Sequence, residues 1–174
     1  MPLSPPPMVL VLMGVAGCGK TTIGIRLSKA LGWTFRDGDT FHPPRNVEKM
    51  RSGVPLDDAD RAPWLAAIAQ WIDERCAAAE PAIVTCSALK RDYRRRLVGA
   101  HGNVRFVYLK GSLRLIGDRI RRRTHAFMPP SLLKSQFAAL EEPAPEERAI
   151  VVPIVLSPKR VAERILSELG AAPN

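Results

Sequence analysis

Residues 14–21 read Gly-Val-Ala-Gly-Cys-Gly-Lys-Thr and follow an apolar stretch from Met8 to Met13. Every fixed letter of Gly-x-x-x-x-Gly-Lys-Ser/Thr is present, and the residues that come next are compatible with a helix. Glycines let successive backbone N–H groups face one point, where the positive end of a helix adds to their field. The run therefore predicts a strand, a phosphate-binding loop and a helix, and with them a site for a nucleoside triphosphate.

Two side chains of this loop have chemistry that suits phosphoryl transfer. Lys20 is expected to reach the β- and γ-phosphates and to stabilise transition-state charge, and the Thr21 hydroxyl is expected to join a Mg²⁺ shell. For Cys18 we favour a small residue that fits the loop over a reactive thiol. The remaining nucleotide contacts are expected from the loop backbone: Gly14, Val15, Ala16, Gly17, Cys18 and Gly19.

Length and composition favour one domain with an anionic partner. A chain of 174 residues buries about 70% of its unfolded surface, which is enough for a core without disulfides. The excess of 26 Lys+Arg over 17 Asp+Glu gives a net charge of +9, as expected for a protein that binds phosphates, an acidic metabolite or nucleic acid. The two basic runs, 90–96 and 119–123, are not interleaved with several aromatic residues as a single-strand nucleic-acid platform would be.

The termini and cysteines point to the cytoplasm. Three cysteines without zinc-ligand spacing indicate neither a disulfide framework nor a zinc site. Residues 1–7 lack the basic start of a signal peptide and are interpreted as a disordered leader, and no apolar run approaches a membrane-spanning length. We expect no membrane association and a single domain over residues 8–170.

Strands and helices alternate along the chain. Apolar, β-branched or aromatic runs predict strands at 8–13, 33–35, 82–86, 104–109 and 150–156, the last ending or lying at a sheet edge because Pro153 cannot donate to a ladder. Helical periodicity follows the phosphate loop up to Gly32, begins again near Asp60 as a core stripe, and closes the chain after Ser157. This order predicts a three-layer α/β fold with a five-stranded parallel sheet, whose ligands bind beyond the carboxyl ends of the strands.

An acidic pair follows the second predicted strand. In extended chain Asp37 and Asp39 point the same way, so Asp37 could hold a Mg²⁺-bound water while Asp39 accepts the proton of an attacking hydroxyl. The alternative is an ordinary Asp-Gly turn with solvated carboxylates.

Basic residues come directly after this pair. On a helix beginning at Pro43, Arg45 and Lys49 share one face and could clamp a substrate carboxylate, or could simply be solvated. His42 is either part of this site or a capping or packing residue. Farther along, Arg119 and its neighbours lead into a segment with two prolines, which predicts a mobile lid at about 123–132 whose arginines contact the nucleotide.

Several blocks together resemble the gluconokinases of the shikimate-kinase-like group of P-loop kinases. The blocks occur in order between about Val9 and Leu166: 13–20, 37–39, 42–43, 45–50, 60–61, 63–65, 86–90, 108–111, 136–137 and 140–143. The resemblance implies ATP- and Mg²⁺-dependent phosphorylation of D-gluconate at its 6-hydroxyl, in an enzyme that is commonly a homodimer.

The resemblance also implies site residues. It extends the ATP contacts to Thr22, places Asp39 near the acceptor hydroxyl and makes Arg123 the lid arginine at the transferring phosphate. The acceptor-binding segment would cover about 39–79. Around the sugar acid it implies these residues: His42, Arg45, Lys49, Ser87, Lys90 and Arg94.

Two other functions stay open on the sequence. The chain could be a kinase for another small anionic acceptor, such as shikimate or a nucleotide, because the scaffold leaves acceptor choice to a few residues. Its charge of +9 also fits a nucleotide-dependent nucleic-acid-binding module, although we expect no nucleic-acid partner.

Overall fold

A computed structural model describes residues 8–123 and 129–171. The predicted leader, residues 1–7, and residues 124–128 of the predicted lid lie outside the described residues. The mobile lid therefore stays a prediction.

Five strands form one parallel sheet, as predicted, and the structure orders them β2-β3-β1-β4-β5. At the centre of the sheet, Val9 is in register with Ala82 on one side and with Val104 on the other. The strands are β1 (Val9–Met13), β2 (Thr34–Arg36), β3 (Ala82–Thr85), β4 (Val104–Lys110) and β5 (Ile150–Pro153).

Helices cover both faces of this sheet. Alternate residues of β1 point to opposite faces, so Leu10 and Leu12 join one core cluster while Val9, Val11 and Met13 join the other. The first cluster includes side chains of α1, α5, α6 and α7, and the second includes side chains of α3 and α4. The predicted three-layer architecture is confirmed. The helices are α1 (Lys20–Leu31), α2 (Pro44–Arg51), α3 (Asp58–Ala77), α4 (Arg91–Val98), α5 (Leu113–Arg122), α6 (Pro130–Ala139) and α7 (Pro158–Glu168).

Two element boundaries differ from the sequence prediction by more than one residue. Helix α3 was expected to begin near Asp60, but its N-cap is Asp57, and Asp60 is the third helical residue of a reciprocal capping box. Strand β5 was expected to extend to Leu156 and ends instead at Pro153, which lacks the N–H needed for the ladder. The sequence left open whether Pro153 marks a sheet edge or a strand end, and the structure shows both.

Within the described ranges, no helix is both long enough and apolar enough to cross a bilayer.

Candidate active site

A cavity of about 520 Å³ lies beyond the carboxyl ends of the strands. The phosphate loop, the segment after β2, the start of α3, and α6 enclose it. Its walls combine apolar residues such as Val54, Leu56 and Leu132 with charged and polar ones. The polar lining includes Lys20, Asp37, Asp39, His42, Arg61 and Ser87.

The phosphate loop ends at Gly19, which is the N-cap of α1 and has a left-handed φ of 102°. The Lys20 ammonium folds over the loop and donates to the carbonyl oxygens of Gly14, at 2.9 Å, and of Val15, at 3.2 Å. A Cβ on Gly17 would lie 2.7 Å from the Ile120 side chain, so the loop packs closely against α5. The loop thus combines a cation with a helix N-terminus, the two features that attract polyphosphate.

Helix α6 also contacts the phosphate loop. The backbone N–H of Ala16 donates to Gln136 Oε1 at 2.7 Å, across 120 residues of sequence. The resemblance included the Gln136-Phe137 pair but assigned it no role. The contact fixes the helix that follows the predicted lid against the loop that precedes α1.

The acidic pair lies in a turn, and the expected extended geometry was wrong. Asp37 caps a short 3₁₀ helix, Gly38–Phe41, by accepting the Asp39 N–H at 2.9 Å. The same carboxylate accepts the hydroxyl of Thr21 at 2.9 Å and that of Thr85 at 3.1 Å. An N-cap side chain satisfies backbone donors that an extended chain would leave free. Both carboxylates nevertheless line this same cavity.

Gly38 lets this turn pack closely against the end of β3. Its N–H donates to Thr85 Oγ1 at 2.9 Å, and its carbonyl oxygen accepts the Trp64 indole N–H at 2.8 Å. A Cβ at position 38 would lie only 1.7 Å from the Thr85 carbonyl oxygen. Only glycine allows this approach, which sets the positions of Asp37 and Asp39.

Burial raises the pKa of the Asp39 carboxyl above its usual value. The Asp37 carboxylate raises that pKa further, whereas the Lys20 ammonium opposes both effects. A raised pKa makes the carboxylate a stronger base, which suits removal of a proton from a hydroxyl.

Arg45 and Lys49 share a face of α2, as predicted, and the carboxylate that they bind belongs to this chain. The Asp60 carboxylate accepts hydrogen bonds from Lys49 Nζ at 2.6 Å and from Arg45 Nη2 at 3.1 Å. The side chain of Asp60 is 2% exposed. Hydrogen bonding from Lys49, helped by the Asp57 backbone N–H, lowers the pKa of Asp60 to about 2. Neither cation is in the cavity lining; together they fix α2 to the first turn of α3.

His42 combines the two interpretations that the sequence left open. It lines the cavity and also packs, because its ring stacks on Trp64 with centroids 4.2 Å apart and planes 12° apart. Burial, and after it the positive charge of Arg61, lowers the pKa of His42 to about 4. The ring is therefore neutral at pH 7.

Arg61 is the cavity cation that our reading of the sequence missed, although it lies in one of the blocks that carry the family resemblance. Its guanidinium donates to the Tyr93 hydroxyl at 3.2 Å, and Lys90 donates to the nearby Asp58 at 3.1 Å. The Tyr93 hydroxyl also donates to Asp58. Lys90 thus belongs to the cluster behind Arg61, outside the cavity lining.

Trp64 and Thr85 are two further lining residues that the sequence reading did not place at the site. The periodicity of α3 assigned Trp64 to the core, which is correct for its burial at 3% exposure. Its indole N–H and its contact with His42 depend on chain segments that periodicity does not reveal.

The expected arginines divide into three environments. Arg123 lines the cavity, as does Ser87 from the loop after β3. Arg119 lies outside the lining and donates to the Ile154 carbonyl oxygen. Arg94 is 1% exposed, forms a bidentate pair with Glu147 and donates to the Ala88 carbonyl oxygen, so the structure does not bring it to the proposed sugar-acid site.

The donor set fits Mg²⁺ held partly by a nucleotide. Thr21 Oγ1 and Asp37 Oδ2 are hard oxygen ligands 2.9 Å apart at the end of the phosphate loop. In residues 8–123 and 129–171 there is no cluster of three or more His, Cys, Asp or Glu side chains that could hold a metal ion. Mg²⁺ commonly takes one or two protein ligands and completes its shell with phosphate and water, which this pair allows.

Comparison with known proteins agrees with this geometry. The sequence model of a family described as an AAA domain matches residues 9–143. The parallel sheet, the phosphate loop and the cavity beyond the strands define a P-loop kinase. A gluconokinase of Gluconobacter oxydans (strain 621H) is 48% identical over 165 residues, which cover 95% of this chain and 93% of that protein. The chain belongs to the gluconokinase family.

Solved structures show the same fold. A gluconokinase from Sinorhizobium meliloti 1021 superposes with a TM-score of 0.86 at 43% identity, covering 94% of this chain and 91% of that one. An unliganded sugar kinase from Janibacter sp. HTCC2649 superposes with a TM-score of 0.90, also at 43% identity, covering 95% and 96%.

Proposed function

We propose that this protein transfers the γ-phosphoryl group of ATP to the 6-hydroxyl of D-gluconate and so forms 6-phospho-D-gluconate. The observation that carries the proposal is the meeting of Lys20, Asp39 and Arg61 in one cavity. This cavity combines a phosphate-binding loop, a base and a cation for an acidic acceptor. The similarity to proteins named gluconokinase supports the choice of acceptor.

Nucleotide binding is assigned to the loop from Gly14 to Thr22. Its backbone N–H groups and the positive end of α1 would hold the phosphates, and Lys20 would leave its carbonyl partners for the β- and γ-phosphates. Arg119 and Arg123, at the end of α5, would approach the nucleotide from the side of the lid at about 123–132.

Acceptor binding is assigned to a segment of about 39–79 together with the loop after β3. Arg61 would bind the gluconate carboxylate, because a guanidinium matches two carboxylate oxygens at once. His42 and Ser87 would contact the hydroxyl groups. Arg45 and Lys49 would not contact the acceptor themselves. They bind Asp60 and so would position the neighbouring Arg61.

The two remaining sugar-acid residues are assigned different tasks. Lys90 would hold Asp58 and Tyr93, and so support Arg61, which donates to the Tyr93 hydroxyl. Arg94 would stabilise the fold through Glu147 instead of contacting the acceptor.

Asp39 would act as the general base. As the acceptor oxygen bonds to the γ-phosphorus, Asp39 takes the hydroxyl proton, and the bond from the phosphorus to the β,γ-bridging oxygen breaks with its electron pair leaving on ADP. Lys20 and Arg123 neutralise the charge that spreads over the transferring group. Thr21 and Asp37 would hold Mg²⁺, which supplies charge neutralisation when bound.

Location and assembly are part of the same proposal. Cys18, Cys76 and Cys86 are all free, which fits a reducing cytoplasm. The homodimer rests on the family resemblance and on two exposed valines near the edge strand, Val151 and Val155. Sedimentation equilibrium would test it, and a single species at the 19.1 kDa chain mass would contradict it.

The nucleic-acid alternative has little support in the charge distribution. Several members of the two basic runs pair with carboxylates of this chain: Arg91 with Glu146, Arg94 with Glu147, Arg96 with Asp92, and Arg121 with Asp118. Paired arginines contribute less positive potential to a polyphosphate surface.

The decisive experiment is ADP release from the purified protein with Mg²⁺ and ATP, with gluconate, shikimate, nucleoside monophosphates or no acceptor in parallel. We expect strong stimulation by gluconate alone. Stimulation by a different acceptor would overturn the assignment of gluconate as the substrate. No ADP release with any acceptor would overturn the kinase assignment and call for an oligonucleotide-binding assay.

Two variants assign roles within that assay. Asp39→Asn should lower kcat about 100-fold or more with little change in KM for ATP, because general-base catalysis is lost. Lys20→Ala should also lower turnover greatly while leaving the fold intact. Arg96→Met, on the exposed face of α4, is the matched control and should change neither constant. A normal kcat for Asp39→Asn would remove this residue from the mechanism.

A further inference from the structure

The part of the cavity lining formed by His42, Arg61 and Trp64 is called the acceptor wall below. Behind it lies Asn46, a fully buried polar side chain at 0% exposure. Its Nδ2 atom donates to the Asp60 carbonyl oxygen at 2.8 Å and lies 3.3 Å from His42 Nδ1. Its Oδ1 atom is also buried and has no hydrogen-bond partner among the described residues. The polar contacts of this side chain are therefore made by its amide nitrogen.

The Asp60 carbonyl fixes the orientation of this amide. A carbonyl oxygen only accepts hydrogen bonds, so Nδ2 must face it, and a rotated amide would bring two acceptor oxygens together. The second Nδ2 hydrogen then faces His42 Nδ1. This ring nitrogen must accept, so it carries no proton.

The ring also holds a single proton. It is stacked on Trp64 and half-buried beside the Arg61 guanidinium, an environment that disfavours imidazolium and lowers the pKa of His42 to about 4. A neutral ring without a proton at Nδ1 has it at Nε2. Among residues 8–123 and 129–171, nothing hydrogen-bonds to Nε2, and the ring lines the cavity.

We propose that Asn46 is a positioning residue that holds His42 as its Nε2–H tautomer. The site then offers a neutral hydrogen-bond donor to a hydroxyl oxygen of the substrate that receives the phosphoryl group. The identity of this acceptor rests on the proposed function, whereas the tautomer does not.

The neutral state of His42 matters for the orientation of the acceptor. Within the described ranges, Arg61 forms no ion pair with a carboxylate, whereas Arg45 and Lys49 bind Asp60 and Lys90 binds Asp58. A protonated His42 would be a second cation in the wall and would give an acidic acceptor a second place for its carboxylate. With a neutral donor at His42, Arg61 is left as the cation of this part of the lining for a carboxylate, and His42 is left for a hydroxyl group.

Nitrogen-15 NMR of the protein labelled at its three histidines tests the tautomer directly. His42→Gln and His101→Gln assign the signals; His101 contacts Asp73 near the amino end of the sheet, away from the cavity. At pH 7, and still at pH 5, we expect His42 to show an unprotonated Nδ1 and a protonated Nε2. An Nδ1–H tautomer or an imidazolium at pH 7 would overturn the proposal, whatever substrate the enzyme uses.

Kinetics test the use of this donor. His42→Leu removes it and should raise KM for gluconate about ten-fold, whereas His42→Gln keeps an N–H donor and should stay within about three-fold. KM for ATP should not change in either variant, and His101→Gln should behave as wild type. Equal KM values for the Leu and Gln variants would contradict the role of the donor.

Asn46→Leu tests the positioning step. The ring should lose its tautomer preference in the NMR spectrum, and KM for gluconate should rise about five-fold with kcat per folded molecule little changed. An unchanged His42 spectrum in this variant would overturn the role of Asn46. If it does not fold, the wild-type spectrum and the His42 pair still decide the proposal. Inactivity towards gluconate together with an Nε2–H tautomer would reject the proposed function and leave the tautomer assignment in place.

Discussion

At the scale of single residues, the absence of a side chain at Gly38 decides where the two carboxylates of the acidic pair lie. The turn that carries Asp37 and Asp39 contacts the end of β3 so closely that a Cβ would meet the Thr85 carbonyl oxygen at 1.7 Å. Backbone atoms cannot move aside as the end of a flexible side chain can. The position of the acidic pair thus depends on residue 38 having no Cβ.

We expect Gly38→Ala to lower the free energy of unfolding by about 3 kcal/mol, because the turn must separate from β3. Chemical denaturation measures this change. Gly102→Ala is the matched control, since a Cβ there would have no neighbour within 4 Å, and it should be nearly neutral. Similar stabilities for the two variants would show that the turn does not require this close approach.

The ion cluster at Asp60 makes the free energy of unfolding depend on pH in the acid range. The folded-state pKa is about 2 and the ordinary value is 3.8, so between these pH values the unfolded chain binds a proton that the folded protein does not. Stability from Asp60 is therefore complete above about pH 4 and is lost as pH falls towards 2.

Unfolding midpoints of wild type and Asp60→Asn, measured between pH 6 and about pH 2, check this dependence. The advantage of the wild type should be constant at the upper end and shrink below about pH 4. Lys49→Met should weaken the same dependence, since Lys49 is the main cause of the low pKa. A difference that does not change with pH would exclude the proposed linkage.

At the scale of elements, the first turn of α3 organises the acceptor wall. The capping box between Asp57 and Asp60 starts the helix, and the next residues place Arg61 and Trp64 at the cavity. The same turn receives Arg45 and Lys49 from α2. The beginning of one helix thus fixes residues from three chain segments, because His42 stacks on Trp64.

Asp57→Ala should lower the free energy of unfolding by about 1 kcal/mol and raise KM for gluconate more than KM for ATP. Loss of the N-cap frees the helix start on which Arg61 depends. Asp57→Ser, which retains a capping oxygen, is the control and should recover most of both properties. Equal increases in both KM values would argue against a local effect on the acceptor wall.

At the scale of the whole molecule, a buried ion pair connects distant parts of the chain. Arg94 in α4 binds Glu147, 53 residues later and just before the edge strand β5. With all of its nitrogens engaged by Glu147 and by carbonyl oxygens, the guanidinium has a structural role. This pair holds the connection that brings β5 to the sheet.

Arg94→Met should lower the free energy of unfolding by about 3 kcal/mol, because it leaves Glu147 without its cation. KM for gluconate, measured on the folded fraction well below the unfolding temperature, should be unchanged. Replacing both partners, as Arg94→Met with Glu147→Leu, should restore much of the stability. A large rise in KM with normal stability would instead place Arg94 at the acceptor.

The sequence alone determined the class of fold and the position of the phosphate loop. A phosphate loop is contiguous, so all of its chemistry lies within residues 14–21, and buried parallel strands are recognisable because each is a short apolar run. The tertiary structure alone decided which charged residues are available to the acceptor. Arg45, Lys49 and Arg94 carry suitable chemistry, but their carboxylate partners lie 15, 11 and 53 residues away along the chain. An opposite charge at short distance offsets much of the potential that a cation presents to a substrate. That offset depends on distances through space, which residue order along the chain does not specify.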